Sequence, residues 1–488
     1  MTQLSHPSPA DKQVSARPSF LSTMTLTQLV TTEPSGALLV ALATAYLVYL
    51  FVVAQVNPLK KCPGPWYTLY SKLPILVIFW RDSRNLYVHS LHQKYGPIVR
   101  LGPDEVSICD PKDVSKVYLG NFDKSRFYAQ FGNYGAPNLF CILTKEPHVK
   151  LRKLMTGFYR KETINETGII QEKVDEMASV VAANNKQDVH TLFRYLAFDV
   201  VTKLTISDSE MLAGKNQKLV FYHEMQTSMT FWTTLQPRWW DLAAALSKPQ
   251  NVLGEKTSIS EASQRCNDWT FQQTGDPDTL LDVLKSKGVS HKIAMSEVQD
   301  HIAAGHETTA VTLAFLFHRL AHDKTIQDKL YAELEPINVT LESVDSLPYL
   351  NALINETLRV HAAIPGAEPR VCPAGTSFQN VSLPKGTVVS AQPYTLHRDK
   401  AWGDPDEFRV ERWFEEPPMA HFMPFGAGIR MCIGMHVAMG ELKLATAQLV
   451  KNYEIKKTSP QQKFPSMKDS YTTLPDGDNV LLFEQRVL

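Results

Sequence analysis

Of the six cysteines in this 488-residue chain (Cys62, Cys109, Cys141, Cys266, Cys372 and Cys432), only Cys432 stands in surroundings suited to chemistry. It lies in the run Phe425-Gly-Ala-Gly-Ile-Arg-Met-Cys-Ile-Gly, two residues after Arg430 and between Gly428 and Gly434, where missing side chains let backbone approach closely. Val437, Ala438, Glu441, Leu442, Ala445, Leu449 and Val450 then recur at helical spacing, which places the sulfur in a loop entering a helix N-terminus. Backbone N–H groups and the positive end of the helix dipole favour a thiolate there. A cysteine so placed is a nucleophile or a ligand for a soft metal. No Cys-x-x-Cys pair occurs, which excludes a zinc ribbon or a disulfide framework and fits a reducing compartment.

Three further constellations carry charge where an apolar pattern would not. The segment Val298–Leu320 reads as a long apolar helix interrupted by Ala304-Gly305-His306-Glu307-Thr308-Thr309. A mid-helix glycine costs about 1 kcal/mol against alanine, and a buried acid costs more, so the interruption implies a purpose. Glu356 and Arg359 share one face of a helix expected over Tyr349–Val360, at i,i+3 spacing. His148 and Arg152 share a face at i,i+4, opening a basic helix that runs toward Arg160 and Lys161.

Taken together these segments resemble the cytochrome P450 family. Phe425 to Gly434 matches the haem signature Phe-x-x-Gly-x-Arg-x-Cys-x-Gly at every fixed position, and Ala304–Thr309 is similar to the oxygen-activation motif Ala/Gly-Gly-x-Asp/Glu-Thr-Thr/Ser. Asp406-Glu-Phe-Arg-Val-Glu-Arg412-Trp resembles the Phe-x-Pro-Glu-Arg-Phe segment, departing from it at Val410 and Trp413. The resemblance implies haem b with Cys432 as proximal iron ligand, an apolar shield from Phe425, and propionate contacts from Arg430, His148, Arg152, Arg370 and His397. It implies that Gly305 leaves room for dioxygen, that Thr308 with Glu307 relays protons, and that Glu356, Arg359 and Arg412 form one buried network. Ala363–Gly366 and Thr472–Leu474 would line the pocket, under a variable aromatic loop over Asp123–Asn138.

The elements that must position these residues read as mainly α with a small β-rich lobe, a cytochrome P450-like fold behind an N-terminal transmembrane helix. Residues 1–36, rich in Ser, Thr, Gln and Pro, read as a disordered tail. Residues 37–56 contain no charge and are long enough to span a hydrocarbon core of about 30 Å. Residues 57–65, with Lys60, Lys61 and Pro63-Gly64-Pro65, form a basic, stiff linker, and 66–488 are expected to be the catalytic domain. By the positive-inside rule the body faces the cytosol, and the resemblance to the microsomal branch of the family implies a single-pass protein of the endoplasmic reticulum membrane. Ile98–Leu101 and Glu105–Ile108 read as two strands of a hairpin. The aromatic and methionine-rich patch Phe221–Trp240 reads as core packing, or alternatively as a substrate channel or membrane-dipping lid.

The formal net charge of +0 provides no field for nucleic acid. The expected activity is monooxygenation of an apolar small molecule with O2 and electrons from NADPH-cytochrome P450 reductase, in secondary-metabolite biosynthesis. Two alternatives stand beside it: an oxygen-independent haem-thiolate isomerase or dehydratase, and a non-catalytic haem sensor.

Overall fold

The computed structural model describes residues 34–208, 212 and 258–486, so the patch Phe221–Trp240 lies outside them. The chain divides into two compact units, 1–56 and 57–488. In the first, helix α1 occupies Pro34–Val56, with Leu38, Leu42, Tyr46, Leu47 and Phe51 exposed. Among the described residues no helix is long and apolar enough to cross a membrane. A helix therefore forms where a spanning segment was expected, but the expectation that it spans is not supported.

The second unit is mostly helical with small sheets, as the sequence implies. Five of its helices position the site. Helix α2 (Lys145–Thr156) begins three residues before His148. Helix α3 (Val189–Ile206) starts at Asp188, whose side chain accepts the Thr191 N–H at 2.8 Å. Helix α4 (His291–His322) is buried along most of its length and on every side, as its lack of a single apolar face requires. Helix α5 (Pro348–Val360) opens with proline at its first turn, where no N–H is needed. Helix α6 (Met435–Asn452) follows the cysteine loop, with Gly434 at its N-cap.

The largest core cluster joins α4 to α3, α5 and α6 through residues such as Val298, Ile302, Leu313, Phe317, Leu353, Leu444 and Phe193. At Gly305 a Cβ would come within 2.9 Å of Val201 Cγ2, so the glycine lets α3 and α4 approach closely. The expected hairpin forms from β1 (Ile98–Gly102) and β2 (Glu105–Ile108), with Ile98 opposite Ile108 and a register shift between Arg100 and Gly102. Strand β2 runs parallel to β4 (Val388–Ser390), which pairs with β3 (Arg370–Val371) and so carries Arg370 to the edge of the site.

Candidate active site

Side chains from α4, the cysteine loop and the aromatic loop enclose a cavity of about 650 Å³. Cys432 is the only cysteine among its lining residues. Its N–H donates to Phe425 O at 2.9 Å, closing the loop around the sulfur, and Phe425 itself lines the cavity. Cys432 exposes surface, but that surface opens into the enclosed cavity, so the thiol is desolvated. Burial pushes it above its ordinary pKa, against the Gly434 backbone N–H and the Arg152 guanidinium that favour the thiolate. The helix-terminus effect read from the sequence is therefore outweighed until a cation sits at the sulfur. Gly428 adopts φ +71°, and a Cβ there would fall 2.3 Å from Tyr118 O, whereas a Cβ on Gly434 would meet no protein atom within 4 Å. Of the two glycines, only Gly434 opens onto free space.

One side of the cavity gathers cations. Lys124, His148, Arg152, Arg370 and Arg430 all line it, with Glu368 the acid among them. Arg430 donates to Ile142 O at 2.9 Å and to Leu143 O at 2.5 Å, and its Nε is buried without a partner. Arg152 donates to Met431 O at 2.8 Å. Nδ1 of His148 is likewise buried and unpartnered. Burial, reinforced by Arg430, Lys124, Arg152 and Arg370, lowers His148 to about 3. Burial together with Arg370 and Arg430 lowers Lys124 to about 7. Burial would also lower Arg370, but Tyr128 and Glu368 hold it above its ordinary value. Depressed cations with donors left over describe a site built for an anion.

His397 departs from its expected place at this site. It does not line the cavity: Nδ1 faces Arg359 O at 3.1 Å, and Nε2 accepts the Met423 N–H at 3.0 Å. Both ring nitrogens serve the main chain, and burial, with Arg398 and Arg359, keeps the ring neutral with a pKa of about 3.

On α4, Thr308 lines the cavity and its Oγ1 donates to Ala304 O at 2.9 Å. Glu307 turns toward α3, where His190 Nε2 lies 2.9 Å from Oε1 and Arg194 Nε 2.9 Å from Oε2. Burial would raise its pKa, but His190 and Arg194 hold it down at about 2. It is an ion clamped by α3 rather than an acid with a proton to give. Gly305 lines the cavity beside it, and its missing Cβ faces Val201, so the glycine also serves the packing of α3 on α4.

Beneath the site, Glu356 accepts from Arg359 Nε at 2.9 Å, Arg359 Nη2 at 2.8 Å and Arg412 Nε at 3.0 Å. Arg359 is 0% exposed and Arg412 3%. Arg359 also holds the carbonyls of His397, Pro405 and Glu407, so one buried carboxylate organises the loop that leads to Phe425.

A model of the family described as Cytochrome P450 matches residues 63–483. The chain belongs to the cytochrome P450 family. It is 30% identical over 448 residues to cytochrome P450 monooxygenase orf2 of Aspergillus niger, covering 86% of this chain and 90% of that protein. Cytochrome P450 monooxygenase tazI of Aspergillus terreus is 30% identical over 88% of this chain and 92% of its own. Cytochrome P450 monooxygenase stcB of Emericella nidulans is 28% identical over 82% and 83%. This cytochrome P450 is accordingly an oxidoreductase of the monooxygenase type.

The family's cofactor is haem, its iron held by a cysteine. The residues present fit it: one cavity-facing thiol, open space at Gly434, and a cationic wall with orphaned buried donors on His148 and Arg430 to receive carboxylates. Lys124 and Glu368 belong to that wall but were not legible in the sequence. Lys124 sits in no motif, and only the fold brings it between the rings of Tyr128 and Phe140, each 4.4 Å from Nζ.

Proposed function

We propose that this cytochrome P450 inserts oxygen into an apolar small molecule of secondary metabolism, with O2 and electrons passed from NADPH by a flavoprotein reductase. The observation that carries this reading is one cavity joining the Cys432 thiol and cationic wall to the Thr308 hydroxyl and an apolar wall of Phe131, Leu139, Phe140, Val201 and Ile364. Haem, when bound, supplies dioxygen binding and O–O cleavage, with a Cys432 thiolate as electron donor to the iron. Lys124, His148, Arg152, Arg370 and Arg430 would hold its carboxylates, and Phe425 would exclude water from the sulfur.

Thr308 brings a hydroxyl proton to the cavity wall, parked on Ala304 O, and can redirect it by rotating about χ1. Glu307 fixes negative charge one residue away without donating. The names of orf2, tazI and stcB support the class of reaction.

We also assign attachment to the endoplasmic reticulum membrane to α1, with residues 57–488 in the cytosol. The absence of any charge in 37–56, the exposed apolar side chains of α1 and the pair Lys60, Lys61 beyond it support this reading. The test of the activity is purified chain with reductase, NADPH and apolar candidates from fungal metabolite extracts. Product carrying one oxygen from O2, formed in proportion to NADPH oxidised, is expected; product formed without NADPH overturns the reading.

A further inference from the structure

Five carboxyl side chains line the cavity: Asp82, Asp300, Glu307, Glu368 and Glu441. Asp82 faces Lys468, Glu307 is held by His190 and Arg194, and Glu368 faces Arg370. Glu441 is sealed, 2% exposed, with Oε2 unpartnered in the packing of α6. Asp300 alone is both unpaired and open to the cavity. It has no hydrogen bond or ion pair among the described residues, and it is half-buried because its carboxyl faces the enclosed space.

The neighbours of Asp300 do not satisfy it. Glu297, Asp300 and His301 could present three atoms to one ion; Glu297 Oε1 accepts the Leu139 N–H at 2.6 Å, His301 Nδ1 is hydrogen-bonded to Tyr159 at 2.5 Å, and the remaining Glu297 Oε2 and His301 Nε2 lie 3.4 Å from each other, with no bond from either to Asp300. Desolvation dominates, with Glu297 adding to it and His301 and Lys124 opposing it without a hydrogen bond, and lifts its pKa to about 7. The cavity it faces is lined in part by Phe131, Leu139, Phe140 and Ala303, whose side chains offer no hydrogen bond. An unpaired carboxyl desolvated against an enclosed cavity costs free energy that a ligand can recover.

We propose that Asp300 determines substrate specificity, accepting a hydrogen bond from an N–H or O–H of an otherwise apolar substrate. This rests on the reading of the cavity as the substrate site. Asp300, Ala304 and Thr308 succeed one another at i,i+4 along α4, so Asp300 and Thr308 lie two turns apart, about 12 Å along the axis. The substrate class that fits is a molecule with an amine or hydroxyl at one end and the oxidised carbon near the other, up to roughly that distance away.

Equilibrium dialysis of the haem-loaded full chain with three matched probes tests this: pentylbenzene, 4-phenylbutan-1-ol and N,N-dimethyl-4-phenylbutylamine. After correction for water–hydrocarbon partition, the wild type is expected to bind at least one donor-bearing probe about tenfold or more tighter than pentylbenzene, the scale of a hydrogen bond to a charged group. Asp300→Leu should abolish that preference while holding or improving pentylbenzene. Asp300→Asn distinguishes the sources: the amine preference falls if a cation is recognised, and the alcohol preference survives if a hydroxyl is. An unchanged preference in both variants overturns the role of Asp300. Failure of pentylbenzene to compete with any probe, or binding undiminished when Ala304→Trp fills the cavity, overturns instead the placement of substrate there.

Discussion

Trp413 Nε1 donates to Glu356 Oε2 at 3.0 Å, the same oxygen that Arg359 Nε holds at 2.9 Å. With the Arg409 N–H at 2.8 Å, Arg359 Nη2 and Arg412 Nε, the carboxylate accepts five hydrogen bonds, so the residue that departs from the family pattern adds a donor. Trp413→Phe should therefore cost on the order of 1–3 kcal/mol, read as a lowered midpoint in denaturant with haem still bound. Glu356→Ala strands two buried guanidinium groups and should cost about 3–5 kcal/mol, enough to prevent accumulation of holoprotein. Normal yields of Glu356→Ala would mean the network does not support the fold.

Cys432→Ala should abolish the red-shifted carbon monoxide band of a thiolate-ligated ferrous haem, since no other cysteine lines the cavity. The cationic wall remains, so weak haem binding without that band is the expected spectrum. A surviving band would move the ligand to another residue.

What the sequence revealed and what it concealed divide along one physical line. Cys432, Arg430 and Glu356 with Arg359 were legible because their chemistry depends on local spacing, which backbone geometry converts directly into proximity. The direction of Glu307 was not, because its partners His190 and Arg194 lie more than a hundred residues away on α3. His397 sits in the expected stretch of chain, yet its ring is consumed by the carbonyl of Arg359 and the N–H of Met423, contacts that exist only after folding. Gly305 lines the cavity, as the resemblance implies, but its missing Cβ also makes room for Val201, a neighbour that no spacing in the sequence shows.

Glu307 makes stability depend on acid. Its folded pKa of about 2 lies below the ordinary 4.5, so its contribution is fully present above about pH 4.5 and is lost as pH falls toward 2. A difference of this size corresponds to roughly 3 kcal/mol. Glu307→Gln should be less stable than wild type near pH 6 by that order, with the gap narrowing on acidification. Denaturant midpoints between about pH 6 and 3 measure it; a gap that widens toward acid would contradict the ion-pair assignment.

Removing residues 1–56 should shift the protein from the membrane pellet to the supernatant while leaving its haem spectrum unchanged, because every residue assigned to the cofactor lies in the unit 57–488. Loss of haem on truncation would mean the first unit supports the site. Equal pelleting of both forms would remove α1 as the attachment.

Thr308 bears on the reaction itself. Its hydroxyl is a proton donor that faces the cavity, and Glu307, ionised and clamped by α3, cannot take over that duty. Thr308→Ala removes no ligand and no cavity wall of consequence, so haem and substrate binding should persist. What should fail is proton delivery, typically worth about 10²–10⁴-fold, so NADPH would be spent as hydrogen peroxide rather than product. Thr308→Ser keeps the hydroxyl and should recover most of the yield, which a loss caused by altered packing would not. The measurement is product and peroxide formed per NADPH oxidised, for wild type, Thr308→Ala and Thr308→Ser with one reductase preparation. An isomerase would be indifferent to the alanine variant, and an unchanged ratio there would remove Thr308 from the mechanism.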